Sequence, residues 1–500
     1  MTRRKAARAA HPTLSKSKYL AGLQCERRVW LQVHDRALAT PVDAAQQAIF
    51  DTGTEVGEYA HELFPGGVLV DEKPWQHAEA VARTQSLMAD PSVPAIFEAA
   101  FEHDGVRIRV DVLERLAGDA WGLREVKSST RVKAENRDDL AVQLFVLEGA
   151  GLRIASSELI HIDNRYERDQ DGIDWPGFFA RADCSAALAE QRAAVPARVR
   201  RFHGVLAERE APAIEPGFHC SRPYRCEFWA HCTRNKPEDW VKYLPRLSPE
   251  RVEALRSAGH ERISKLPADV ELSETQARVR DAVQSGRPFV SPNLPQALGA
   301  AGPPAWYLDF ETANPAIPMF AGTRPYQMLP FQWSLHRVDT GGNLSHQAFL
   351  ADGSEDPRRA FCQSLLDALP TDAAPIHVYS PFEATRLAEL AADFPRQAAG
   401  LDAIRARLFD QLQLVRRHLY HPGFASSYSI KQVAPALAPG FSWDDLQDIA
   451  EGSAAAAAWP RLARGELTAD EAARTRQALL DYCARDTLAM VELHRVVRKM

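Results

Sequence analysis

Residues 105–129 read GVRIRVDVLERLAGDAWGLREVKSS. Val106, Ile108, Val110 and Val112 alternate with Arg107, Arg109, Asp111 and Leu113, which is the period of a half-buried strand. A turn at AGDA returns the chain as WGLREVK, whose Trp121, Leu123, Glu125 and Lys127 fall on one face. A strand that aims a glutamate and a lysine together, opposite a strand carrying Asp111, supplies two oxygen ligands for a hard divalent cation and one ammonium. Such a cation polarises a phosphodiester and activates water, while the lysine orients that water or neutralises developing charge. The same charges also suit a salt bridge across the surface of a hairpin.

Around this hairpin, 500 residues exceed what one core usually organises, so two domains and a connector are expected. The 45% hydrophobic and 25% charged content is that of an ordinary soluble globular protein. No window reaches the roughly 18 to 20 apolar residues of a membrane helix. The start, MTRRKAARAAHPTLSKSKYL, is basic and has no apolar stretch, which excludes a secretory signal. Residues 1–18 read as a basic tail able to touch phosphate, with a transit peptide as the alternative. The net charge of −6 announces no nucleic-acid partner globally, so such a surface must be local.

Upstream, GTEVGEYAHELFPGG sets His61 on a helix, and downstream NRDDLAVQLFVLEGAG sets Gln143 on another. The order His61, Asp111, Glu125-x-Lys127, Gln143 resembles the PD-(D/E)XK nucleases of the RecB-like type, including CRISPR-associated exonucleases. The resemblance covers about residues 15 to 235 and implies a restriction-endonuclease-like α/β domain over 19–240. It assigns His61, Asp111 and Glu125 to metal, Lys127 to catalysis and Gln143 to support. Val110 stands where that family's name has proline.

Seven cysteines and no signal peptide argue for a reducing cytosol, where clustered thiols more often bind metal than pair. HCSRPYRCEFWAHC spaces Cys220, Cys226 and Cys232 with five residues between neighbours, and Cys25 stands alone in AGLQCERRVWL. This is not the close-paired spacing of zinc modules, and it suits an iron–sulfur cluster tying the two ends of a domain together. Some RecB-like nucleases draw one cluster cysteine from before the nuclease core and three from after it, and the resemblance implies a 4Fe-4S cluster here. Zinc with His219 or His231, or free thiols, are the alternatives. Cys184, Cys362 and Cys483 read as ordinary buried residues. Arg222, Tyr224, Arg225 and Trp229 could track a strand by charge and stacking, or simply pack.

Residues 241–302 read as a helical linker, faintly like a helix-hairpin-helix, ending in the Pro/Gly-rich SGRPFVSPNLPQALGAAGPPAW. The second domain is expected over 303–500. In WYLDFET, alternation puts Trp306, Leu308 and Phe310 on one side and Tyr307, Asp309 and Glu311 on the other. Tyr482 and Asp486, four apart in LLDYCARDTLAM, share a helix face. Between them, PIHVYSPFEATRLAEL is a strand running into a helix with Glu383 near its start.

The order D-x-E, an acid after phenylalanine, then Y-x3-D resembles the DEDD exonucleases of the RNase H-like superfamily. It implies a mixed sheet, metal at Asp309, Glu311, Glu383 and Asp486, and Tyr482 positioning water. Those enzymes have aspartate where Glu383 stands, and Asp410 is an alternative ligand. The phrases WYLDFET, FAGTRPYQMLPFQWSLH, SYSIKQVAPAL and LLDYCARDTLAMVEL also resemble an uncharacterised bacterial "domain of unknown function" family joined to a RecB-like nuclease. Arg324, Tyr326, Gln327, Gln332, Tyr428 and Lys431 are candidate substrate contacts. The resemblance implies a cytoplasmic, Mg²⁺- or Mn²⁺-dependent nuclease acting on DNA or RNA, single-stranded by preference, in repair or defence. The alternative is a nucleic-acid-binding scaffold with one or both domains catalytically silent.

Overall fold

The computed structural model describes residues 13–446, 449 and 451–500. It is a mixed α/β structure, and its chain divides into two compact units. Residues 1–235 and 316–326 form the first, and residues 236–315 and 327–500 the second. The segment read as a linker is counted with the second unit. The expected basic tail runs to residue 18. Its first twelve residues lie outside those described, and β1 falls within the remainder.

The first unit is built on a mixed seven-stranded sheet. Its strands are β1 (Leu14–Ser15), β2 (Val68–Leu69), β3 (Ala95–His103), β4 (Val106–Leu116), β5 (Ala120–Lys127), β6 (Ile154–Ile162) and β7 (Phe179–Asp183). Strands β2 to β7 lie side by side in sequence order, and β1 pairs parallel to β4 at Val106 and Arg107. The hairpin β4–β5 pairs Val112 with Arg124, so Asp111 stands opposite Glu125 and the two side chains share a face. Strand β5 is buried along nearly its whole length, unlike the half-exposed strand that a surface salt bridge would need. Arg124, almost fully buried on the other face, is neutralised by Glu114 at 2.8 Å and bonded to the Ser156 hydroxyl at 2.9 Å.

One main apolar cluster of this unit joins Ile96, Ile108, Leu113 and Leu123 to the helices Ala134–Gly149 and Ala189–Ala207 through Leu140, Leu144, Val199 and Phe202. A second takes in Phe97, Val112, Val126 and Ile160, with Ala316 and Ile317 from the 316–326 segment. That segment is held by backbone bonds from the Arg168 amide to the Thr323 carbonyl and from the Gly322 amide to the Arg168 carbonyl, and by the Tyr326 hydroxyl, which donates to the Ser128 carbonyl.

In the second unit a two-stranded ribbon pairs β8 (Phe289–Val290) with β14 (Leu419–Tyr420). The main sheet has β9 (Ala305–Ala313), β10 (Leu329–Val338), β11 (Leu344–Leu350), β12 (Ile376–Val378) and β13 (Leu408–Asp410) in the order β11-β10-β9-β12-β13. The first three pair antiparallel, and β12 and β13 continue parallel to β9. Trp306, Leu308 and Phe310 enter a core with Phe361, Leu365 and Leu387, while Tyr307 meets Met490 and Val491 on the opposite side. The helix Ala469–Val497 starts with a capping box between Thr468 and Glu471, which satisfies amide groups that helix initiation leaves unpaired. Central β9 thus carries its two carboxylates toward a helix that brings Tyr482 and Asp486.

Candidate metal centres

In the first unit Glu125 is completely buried at the end of β5. Its carboxylate accepts from Lys127 at 2.5 Å, from Gln143 at 2.6 Å and from Lys16 at 3.0 and 3.2 Å. Asp139, one helical turn before Gln143, accepts from Lys127 at 2.8 Å and from Gln143 at 3.0 Å. Lys16 Nζ also lies 3.5 Å from Asp139 and 3.9 Å from Asp111. Asp111 accepts the Val126 amide at 2.8 Å, which fixes its rotamer across the hairpin. Three carboxylates and two ammonium groups therefore interlock.

The electrostatics follow from that count. Burial opposes the Glu125 charge, but the ammonium groups of Lys127 and Lys16 and the bonds from Lys127 and Gln143 outweigh it, holding the carboxyl well below the usual range. Asp111 is pushed up to about 7 by desolvation and then by the negative charge of Glu125. Burial also raises Glu98, which adopts a positive φ in β3 and has Lys16, Arg109 and Glu125 as charged neighbours.

His61 does not join this group. Its ring stacks on Phe97 with centroids 3.8 Å apart, and its charged neighbours are Glu58 and Glu62. Phe97 clusters with Val112 and Val126, which by strand alternation face away from Glu125. Lys16 and Asp139 instead complete the centre. Asp139 was legible as a helical i, i+4 partner of Gln143, whereas Lys16 is remote in sequence and falls within the expected tail.

The cysteine loop is drawn to the first helices of the same unit. Gln24 donates to the carbonyls of His219 and Tyr224 at 2.8 and 2.7 Å, and Arg28 and Gln32 bind Glu227 at 2.9 and 2.6 Å. Cys25, Cys226 and Cys232 each have Cys220 as an electrostatic neighbour, and burial raises all three thiols. Cys226 reaches about 11. Cys220 Sγ lies 3.5 Å from His219 Nε2, while His231 is bonded to Arg234 at 2.9 Å.

Tetrahedral zinc would hold its sulfur ligands roughly 3.8 Å apart. Among the described residues, only Asp309, Glu311 and Cys483 form a group of three or more ligand atoms within 4.8 Å of one another. The four thiols are electrostatic neighbours without that single-ion spacing. Tyr224 belongs to this loop, and Lys127 and Asp139 of the carboxylate centre are among its charged neighbours.

In the second unit the register of β9 on β10 sets Asp309 opposite Ser334 and Glu311 opposite Gln332. Gln332 is fully buried and donates to the Leu479 carbonyl at 2.7 Å, so it braces the helix. Trp443 Nε1 donates to Asp486 at 2.6 Å. Glu383, 3% exposed, accepts from Ser380 at 3.4 Å and has Asp309 as a side-chain hydrogen-bond partner. The Lys431 ammonium stands 4.6 Å from the Tyr482 ring centre.

Burial, then mutual repulsion with Asp486, Glu311 and Glu383, raises Asp309 well above its ordinary range, and Glu311 rises for the same kinds of reason. Glu383 is pushed up to about 7, mainly by burial. Asp486 and the Tyr482 hydroxyl are raised too, burial leading in both. Carboxylates crowded in this way repel one another unless a proton or a cation comes between them. Asp309, Glu311, Glu383, Asp486 and Tyr482 thus come together. Asp410 caps the helix Gln411–His418 through the Gln413 amide at 3.1 Å, and its other oxygen is buried without a partner beside Glu383.

Of the three cysteines read as ordinary, Cys184 donates to the Ala182 carbonyl and Cys362 sits in the apolar core. Cys483 differs, with its sulfur 3.5 Å from Asp309 Oδ2. Among the other candidate contacts, Arg324 pairs with Glu167 at 3.3 Å and Gln327 with Asp393 at 3.2 Å. Tyr428 lies under the Arg416 guanidinium.

The family described as "Domain of unknown function (DUF2779)" matches residues 306–429, which takes in Asp309, Glu311, Glu383 and Asp410. No curated protein matches the chain. Solved structures that match include one titled "Crystal structure of SSO0001", 12% identical, covering 38% of this chain and 78% of that one, with a TM-score of 0.17. A superposition that poor carries no argument. No helix of the described residues is long and apolar enough to cross a membrane.

Proposed function

We propose that this chain is a metal-dependent nuclease with two phosphodiester-hydrolysing centres, of PD-(D/E)XK type in the first unit and DEDD type in the second, and a structural 4Fe-4S cluster. The observation that carries the reading is the convergence of four buried or half-buried carboxylates and a tyrosine from separate elements of the second unit. Asp309, Glu311, Glu383 and Asp486 would hold Mg²⁺ or Mn²⁺, which when bound polarises the phosphodiester and lowers the pKa of water. Tyr482, kept protonated by burial and by its acidic neighbours, offers a hydroxyl to orient the attacking water. Lys431 offsets part of the negative charge where a phosphate would approach.

In the first unit Asp111, Glu125 and Asp139 would hold the cation, with Lys127 positioned to orient water and Gln143 to fix the Glu125 rotamer. Cys25, Cys220, Cys226 and Cys232 would bind the cluster. The mixed sheet of each unit supports these fold readings. DNA or RNA, single-stranded by preference, in the cytoplasm, is the substrate this chemistry serves, and repair or defence its setting.

One observation favours the scaffold reading for the first unit alone. Lys16 fills the space between three carboxylates and leaves them nearly neutralised. Mn²⁺-dependent cleavage of end-labelled single-stranded DNA and RNA by anaerobically purified wild type, Lys127→Ala and Asp309→Ala separates these readings. Loss of a distinct product pattern with each substitution is expected of two working centres. Loss with Asp309→Ala alone makes the first unit a binding module, and no cleavage by wild type refutes the nuclease reading.

A further inference from the structure

We propose that Cys483 supplies a sulfur ligand to the cation held by Asp309 and Glu311, so that the second centre prefers a zinc-class cation to magnesium. The inference rests on the reading of that centre as a metal site. It starts from geometry: one ligand atom from each of Asp309, Glu311 and Cys483 lies within 4.8 Å of the others. Cys483 has no exposed surface, and the helix Ala469–Val497 aims its sulfur at the β9 carboxylate, 3.5 Å from Asp309 Oδ2. Asp486, three residues on, lies on the adjoining face of the same helix.

A second observation points to a ligand. Glu311 is 7% exposed, and its side chain has no hydrogen bond among the described residues. A buried carboxylate without a donor is costly, and a bound cation removes that cost. Gly452 borders the same carboxylate, a Cβ there standing in ordinary contact 3.7 Å from Glu311 Oε2 and from the Tyr482 hydroxyl. The third side chain beside this carboxylate pair is a thiol. Magnesium takes oxygen ligands in near-ideal octahedral geometry, whereas thiolate selects softer ions such as zinc, with cobalt as its spectroscopic stand-in.

The test is cobalt titration of the full-length protein under anaerobic conditions, comparing wild type, Cys483→Ser and Asp309→Asn by absorption. Cobalt at Cys25, Cys220, Cys226 and Cys232 contributes equally to all three and cancels in the differences. Cys483→Ser is expected to lose one sulfur-to-cobalt charge-transfer band, keep the visible cobalt bands, and bind cobalt about tenfold or more weakly with magnesium affinity unchanged. Asp309→Asn is expected to lose both sets of bands. If Cys483→Ser matches wild type while Asp309→Asn loses its visible bands, the carboxylates bind alone and the sulfur assignment is overturned. If neither variant differs from wild type, the metal reading of the centre falls, and this inference with it. Cys483→Asp, which offers oxygen in place of sulfur, guards against a folding artefact: it should keep the visible bands without charge transfer, and charge transfer retained in it refutes the proposal.

Discussion

The two carboxylate centres solve the problem of buried negative charge in opposite ways. The first surrounds Glu125 with Lys16, Lys127 and Gln143, so its charge is balanced by the chain itself. The second packs Asp309, Glu311, Glu383 and Asp486 together, with Lys431 acting on Glu311 and Asp486, and burial, joined by mutual repulsion at Asp309 and Glu311, raises their carboxyls. On the proposed reading such a site is held for an outside cation, while the first is already braced by its own lysines. A cluster of acids can therefore mean different things, and the surrounding amines decide which.

The sharpest way to break this comparison is to remove one carboxylate charge from each. Glu125→Gln leaves two ammonium groups short of a buried partner and should cost about 3–5 kcal/mol in chemical denaturation. Glu311→Gln in metal-free protein relieves repulsion and should leave stability unchanged or improved. A loss of similar size in both variants would mean that the second centre is braced by its own chain as well.

Next in size is the response to cation. Filling the second centre at about a hundred times its dissociation constant should stabilise the fold by about 2.7 kcal/mol. Thermal denaturation with and without Co²⁺ should show that gain in wild type and its loss in Asp309→Asn. A gain that survives the substitution would assign the effect elsewhere.

Acid separates the second unit's histidines from its carboxylates. Burial pushes His377 down to about 3 and His336 and His494 to about 4, so all three are neutral in the fold. The unfolded chain takes up protons below its ordinary 6.5, so this contribution is complete above 6.5 and is lost as pH falls toward 4. Each histidine should cost about 2 kcal/mol between pH 6.5 and 5. Glu383 works the other way, its contribution being lost as pH rises from 4.5 through about 7. Denaturation of His336→Gln against wild type isolates one histidine, and an unchanged slope over pH 5–6.5 would refute its assignment as a neutral buried group.

Much of each centre was legible because strand and helix periods are local. Alternation alone aligned Glu125 with Lys127 and Asp309 with Glu311, and a helical turn aligned Tyr482 with Asp486. What escaped was set by tertiary packing. Lys16 lies on a short basic stretch with no amphipathic signal, yet β1 anchors it beside β4. Cys483 looked like core because its thiol is buried, and its meeting with Asp309, 174 residues away in sequence, depends on how a helix crosses β9. His61 covers the Phe97 ring, and an order of residue types in sequence does not say which face of a sheet a ring will cover. The 316–326 segment, rich in Gly and Pro, carried no pattern that would assign it to the first unit.

The smallest effect is the most direct test of the comparison. Lys16 Nζ lies within 4 Å of Asp111, Glu125 and Asp139, a position from which an ammonium competes with any divalent cation for the same oxygens. Lys16→Met keeps the length and apolar stem of the side chain and removes its charge, while Lys127 remains bonded to Glu125 and Asp139. The first centre then gains net negative charge and comes to resemble the second. Mn²⁺ binding, measured calorimetrically in an Asp309→Asn background that silences the second centre, should tighten about tenfold, or about 1.4 kcal/mol. Unchanged affinity would mean that Lys16 does not stand in for a cation and that the balance of the first centre comes from Lys127 alone. Weaker binding would mean that Lys16 orients the carboxylates for the metal instead of competing with it, and the two centres would then differ in geometry and not in charge.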